Sequence, residues 1–215
     1  MEEDKKINGN TTVSGTQYIG YQGTISVSIV KNNKVLKTRQ YHNSGMPKLF
    51  EFLAKCLGGS NSEFLRPVKI KLFRYSGAEI IGAAPPKDFR WEEAWDGSEY
   101  QPIQVSPYLL YNTTPVIRKR LIETDVATSS SKAYLENTQY EVTLHFTAPA
   151  AYLAEDVIHM VGLYPNNAIS DKDEVSAYYL FTNEKNEWDP LELSEINGNF
   201  SIFIDWTLTV SNKTK

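Results

Sequence analysis

The densest run of side chains able to do chemistry in this 215-residue sequence is Phe89-Arg-Trp-Glu-Glu-Ala-Trp95, with Asp96 and Tyr100 close behind it. Flat indole faces beside carboxylates are the composition of a saccharide site, where the rings stack and the acids accept from hydroxyls. The same composition suits an aromatic loop that grips a neighbouring subunit, because Trp and Tyr bury much area while losing few rotamers. The second reading is the stronger: Phe89, Trp91, Trp95 and Tyr100 are expected to contact another chain. The alternative is that the loop folds back over its own sheet. Glu92, Glu93 and Asp96 carry no spacing that marks a catalytic pair, since glycosidase carboxylates are defined by their separation in space.

Elsewhere the chemistry thins out. The single cysteine, Cys56, excludes an intramolecular disulfide and a cysteine-built zinc site. His42, His145 and His159 are scattered, so no HExxH-type spacing exists. His145 falls at a polar position of a strand and reads as a surface histidine, and His159 has no evident partner. Phosphate-cradling glycine motifs and the GxSxG elbow are missing. Asp171-Lys-Asp-Glu174 begins like a calcium loop but lacks the glycine at the sixth and the glutamate at the twelfth position, which makes it a solvated turn. The expectation is a non-enzymatic chain with no catalytic residues, no metal and no cofactor.

Twenty-two Lys and Arg against 26 Asp and Glu give a formal charge of −4, which argues against a nucleic-acid partner needing a basic face. The charged N-terminal Met-Glu-Glu-Asp-Lys-Lys has no apolar run behind it, and no stretch is long enough for a transmembrane helix. Neither a secretory signal nor membrane insertion is expected. A lone unpaired cysteine is consistent with synthesis in a reducing cytoplasm.

The elements that would position these groups are mostly strands. Residues 1–17 are polar and aperiodic and read as a flexible arm. Ile25, Val27 and Ile29 alternate with Thr24, Ser26 and Ser28, and Asn32-Asn33 then turns the chain into Val35–Tyr41, a hairpin. Within Met46–Leu57, the residues Leu49, Leu53, Cys56 and Leu57 share one helical stripe, with Pro47 in the first turn and Gly58-Gly59 beyond the end. Cys56 on that stripe is expected in the core. Strands follow at 67–75, 116–122, 140–146, 158–164 and 175–181. The cleanest alternation closes the chain: Phe200, Ile202, Ile204, Trp206, Leu208 and Val210 form one face. Residues 76–108 hold no period and four prolines, a long irregular insertion of the kind that is functional or ordered by a neighbour. The pattern predicts a mainly β chain, an antiparallel β-sandwich of Ig or jelly-roll type. One amphipathic helix near 46–57 and the insertion near 76–108 complete a single domain over 18–215.

The order of these segments resembles that of phage tail-fibre, baseplate and collar-type virion proteins, over about residues 40 to 211. His42-Asn-Ser-Gly45 precedes the helix. Then come the strand at Val68–Tyr75, the variable loop, the Arg-bearing strand Val116-Ile-Arg-Lys-Arg120, and Tyr140–Phe146 with Ala148-Pro149. Gly162-Leu-Tyr164 supplies a "GL-aromatic" strand, followed by Ser176–Phe181, and a closing strand surrounds Trp206. Two departures are Val161, where an acidic residue often precedes the "GL", and the length of the loop after Tyr75. The resemblance implies a structural subunit of a bacteriophage virion, made in the host cytoplasm and assembled as a homo-oligomer with other virion proteins. A carbohydrate-binding, host-recognition module using loop 89–100 on a surface glycan is the second expectation. A glycan column and a self-association measurement separate the two.

Overall fold

The computed structural model describes residues 17–45, 47–59, 63–76, 84–85, 89–91, 93–95, 101–122, 137–171, 175–194, 196 and 198–214. Among these residues twelve strands and one α-helix form in chain order. The first part runs β1 (Gln17–Lys31), β2 (Lys34–Gly45), α1 (Pro47–Leu57) and β3 (Pro67–Tyr75), and β4 (Pro102–Gln104), β5 (Leu109–Leu110) and β6 (Val116–Ile122) follow. The second part runs β7 (Asn137–Pro149), β8 (Val157–Ile158), β9 (Met160–Pro165), β10 (Ala177–Leu180), β11 (Leu191–Glu192) and β12 (Ser201–Thr214). Every pairing is antiparallel. The path is β4-β3-β9-β10-β2-β1-β12-β7-β6, with β5 also on β3 and a small separate pair of β8 and β11.

The expected arm at 1–17 lies outside the described residues except for Gln17, which opens β1 opposite Thr214. The hairpin forms as the sequence predicts. Asn32 and Asn33 take φ of 51° and 61°, the left-handed pair of a two-residue turn whose twist matches the flanking strands. Helix α1 ends at Leu57, and two residues on Gly59 takes a φ of 68° that a side chain would strain. Along the described side chains of its apolar stripe, burial falls towards the C-terminal end. Leu49 is buried, Leu53 half-buried and Cys56 exposed, so the expectation of a core cysteine is corrected.

β2 joins two sets of strands. Lys34–Asn43 pair with β1, whereas Ser44 and Gly45 pair with β10. On one side lie β1, β12, β7 and β6; on the other lie β10, β9, β3, β4 and β5. One apolar cluster draws from both: Ile25, Val27 and Ile29 of β1, Leu144 and Phe146 of β7, and Ile202, Ile204 and Trp206 of β12 meet Ile70 and Leu72 of β3 and Val161 and Leu163 of β9. The closing strand therefore buries the face its alternation announces, and Phe203 on the other face stays exposed.

β3 departs from its expected pattern. Alternation of Val68, Ile70 and Leu72 with lysines suggests one solvated face, yet Lys71, Phe73 and Tyr75 on the second face are buried as well. A second apolar cluster covers that face: Phe73, Tyr75, Trp91, Met160, Tyr164, Ala168 and Val175, with Phe89, Trp95, Tyr108, Tyr178, Leu180 and Trp188 packed against it. Within the 76–108 insertion, Phe89, Trp91, Trp95 and Tyr108 thus cap their own sheet, while 102–104, expected to be irregular, join that sheet as β4.

Candidate functional site

Asp171 sits at the centre of the cap. Its carboxylate takes Lys71 Nζ at 2.9 Å on both oxygens and the Tyr108 hydroxyl at 2.7 Å. Its backbone carbonyl accepts from Trp91 Nε1 at 2.8 Å and from the Tyr164 hydroxyl at 3.1 Å. Lys71 also donates to Gln104 Oε1 at 3.1 Å, and its ammonium stands 3.9 Å from the Tyr108 ring centre. This corrects the sequence expectation for Asp171: it is a structural hub and not a solvated residue, because β3 delivers a buried lysine to it. Burial, then the charge of Asp171, then Tyr108 raise the Tyr164 pKa far above the ordinary tyrosine range, so it remains a donor.

Around this hub the rings interlock edge to face. Trp91 lies 5.4 Å from Phe73, 6.0 Å from Trp95 and 6.3 Å from Tyr164, centre to centre. Gly162 makes room for it. A Cβ there would sit 2.8 Å from Tyr164 Cε2 and 3.2 Å from Trp91 Cη2, which supplies a packing reason for glycine in Gly162-Leu-Tyr164.

Of the four residues expected to touch another chain, Trp91 is fully buried by its own chain and has no face left to offer. Phe89 and Trp95 are half-buried, and Tyr100 lies outside the described residues. For Trp91 the fold-back alternative describes the geometry. Glu93 points away, paired with Arg90 at 3.2 Å on the surface.

His159, partnerless in sequence, is buried beside the cap. Its Nδ1 faces the backbone N–H of Tyr75 at 3.4 Å, and its ring meets Trp188 edge-on at 5.3 Å. Burial first, and then the charge of Arg74, lower its pKa from 6.5 to about 4. The unfolded chain therefore binds this proton at a higher pH than the folded one. Stability falls as pH drops from about 6.5 towards 4, by up to about 3 kcal/mol from this group. Urea midpoints measured across that window should drop more steeply for the native chain than for His159→Asn; parallel curves would refute the assignment.

The second concentration of polar groups lies on the opposite side of the molecule, where β2, β1, β12, β7 and β6 turn their outer faces to solvent. Register aligns them in rungs. Gln40, Ser26, Asp205 and His145 stand side by side on four neighbouring strands. Thr24, Thr207, Thr143 and Val116 form the next rung. His145 Nδ1 lies 2.7 Å from Asp205 Oδ1, and the Thr143 and Thr207 hydroxyls lie 2.9 Å apart. Together with Arg118 these groups line a groove of about 370 Å³. Among the described residues no hydroxyl is hydrogen-bonded to His145, whose partner is Asp205. Sequence reasoning sees His145 and Asp205 only as separate outward positions; the register between strands 60 residues apart brings them together.

No family model, curated protein or solved structure matches this chain. Among the described residues, no three His, Cys, Asp or Glu side chains gather as a metal site requires, and no helix is long and apolar enough to cross a membrane.

Proposed function

We propose that this chain is a non-enzymatic structural subunit of a bacteriophage virion, of the tail, baseplate, collar or fibre-associated kind. In this reading it is an antiparallel β-sandwich, made in the host cytoplasm, that assembles with copies of itself and with other virion proteins. The observation that carries it is β6. Among the described residues this strand ends the sheet path, and Ile117 is 68% exposed beside an exposed Val116, with Tyr140 of the adjoining β7 also exposed. An uncovered apolar edge is a template for pairing with another chain. The order of segments supports the same reading: His42-Asn-Ser-Gly45 leads into α1, Gly162-Leu-Tyr164 lies within β9, and Trp206 is buried in the last strand.

The test has two arms. Sedimentation of the purified chain should show a concentration-dependent oligomer, and Ile117→Glu should weaken it at least tenfold while the circular dichroism spectrum stays native. Immunogold labelling of gradient-purified particles should place many copies at one fixed location. A strict monomer missing from particles would remove the proposal. Sugar recognition by loop 89–100 is less well supported, because Trp91 is enclosed and offers no platform.

A further inference from the structure

Apart from Val116 at its β6 margin, the outer face of the β2-β1-β12-β7-β6 strands is not used by the assembly reading, and its chemistry is uniform enough to specify a ligand class. We infer that the groove across these strands binds an acidic oligosaccharide, a polyhydroxylated ligand with a carboxylate held by Arg118. The inference stands on the groove alone and does not depend on the virion assignment.

The lining excludes other classes in turn. Among the described lining residues Ile25 and Val116 alone are apolar, and Ile25 is fully buried, so a hydrophobic ligand would find little wall to desolvate it. Arg118 is the single Lys or Arg among the lining residues, and Asp205 opposes it in sign, which disfavours a nucleic-acid strand or a multiply charged phosphate ester. What remains is a field of hydroxyl, amide, imidazole and carboxylate groups able both to donate and to accept.

Its spacing is fixed by the sheet. Neighbours within a rung stand about 4.8 Å apart, and successive rungs about 7 Å apart along the strands. Groups set on paired strands hold these positions without ordering a loop, which lowers the entropic cost of binding. Two contacts organise the field further. The bond between His145 Nδ1 and Asp205 Oδ1 orients the imidazole and leaves Nε2 and the second carboxylate oxygen for a ligand. The Thr143–Thr207 hydroxyl pair fixes one hydrogen between them and leaves the remaining lone pairs and proton to a guest.

Arg118 stands one rung beyond, opposite Glu141, whose carboxylate accepts from Gln139 Nε2 at 3.3 Å. Its planar fork suits the bidentate geometry of a carboxylate. Neutral sugar hydroxyls would lie over the threonines and serine, with the acid group towards β6.

The experiment is a binding titration of the intact chain with neutral oligosaccharides and with uronate- and sialate-bearing oligosaccharides. Amide NMR shifts locate the site, and calorimetry gives the affinity. Expected are shifts confined to the groove strands β2, β1, β12, β7 and β6, those of β6 around Arg118 included, and a preference for the carboxylated sugars. Arg118→Ala should erase that preference with at least a tenfold loss, and Asp205→Asn should weaken both sugar sets. Both variants lie on a solvated face, and native circular dichroism confirms that each folds. Three results would overturn the inference: no binding by any sugar, binding confined to neutral sugars, or binding that these variants leave intact while Trp95→Ala abolishes it.

Discussion

Asp171→Ala should lower the stability of the chain by about 3 kcal/mol, the lower end of the cost of breaking a buried ion pair. The lower end applies because the two partners differ in burial: the Lys71 side chain is 8% exposed and the Asp171 side chain 21%. Removing the acid strands a charged ammonium under the cap and deprives the Tyr108 hydroxyl of its acceptor. The backbone carbonyl at 171 is untouched, so Trp91 and Tyr164 keep their acceptor as long as the turn holds. Lys71→Met should cost less, since Asp171 retains Tyr108 and some solvent. The double variant Lys71→Met/Asp171→Ala should be more stable than Asp171→Ala alone, because no orphaned charge remains. Denaturant unfolding of the three variants decides the matter. A loss under 1 kcal/mol for Asp171→Ala would mean that water already satisfies Lys71.

Trp91→Ala should cost about 3–5 kcal/mol, the range for truncating a large buried aromatic. The indole is fully buried, touches three other aromatic rings edge-on and donates its N–H to the 171 carbonyl. Alanine leaves a cavity and frees that carbonyl. The loss should be local as well as global. Hydrogen exchange should speed up in 89–95 and 166–171, while amides of β1, β7 and β12, which pack in the other apolar cluster, keep their order of protection. Uniform acceleration throughout would show the two clusters to be one cooperative unit. A near-native stability would show the cap to be dispensable.

Much of the strand content is legible in the sequence because one-sided burial writes itself as period two. β12 is the clearest instance: Ile202, Ile204 and Trp206 are buried while Phe203 faces out. The turn at Asn32-Asn33 is legible for a different reason, since asparagine tolerates the left-handed region the hairpin demands. β3 is misleading because a second layer covers its other face, and a lysine buried in an ion pair looks in sequence like any solvated lysine. The Trp91 cluster could be found from composition but not its destination, which depends on an aspartate 80 residues later. Cys56 fails in the opposite way: helical spacing puts it near Leu49 on the stripe, but no spacing tells how far along the helix the cover extends. The outer groove is illegible for a combinatorial reason, because Ser, Thr and His at outward positions acquire meaning only once register sets them side by side.

The pairing of β1 with β12 has a consequence for biosynthesis. Gln17–Val30 lie along Ser201–Thr214, so β1 waits for a strand that is synthesised long after it. At ordinary rates of translation the ribosome needs roughly ten to thirty seconds to travel from one to the other. During that interval β2 can guard one edge of β1, but the other stays open, with Ile25, Val27 and Ile29 uncovered by their eventual partners. Nascent chains on one message hold this same open edge in close proximity, which makes the polysome the stage at which mispairing between copies is most costly.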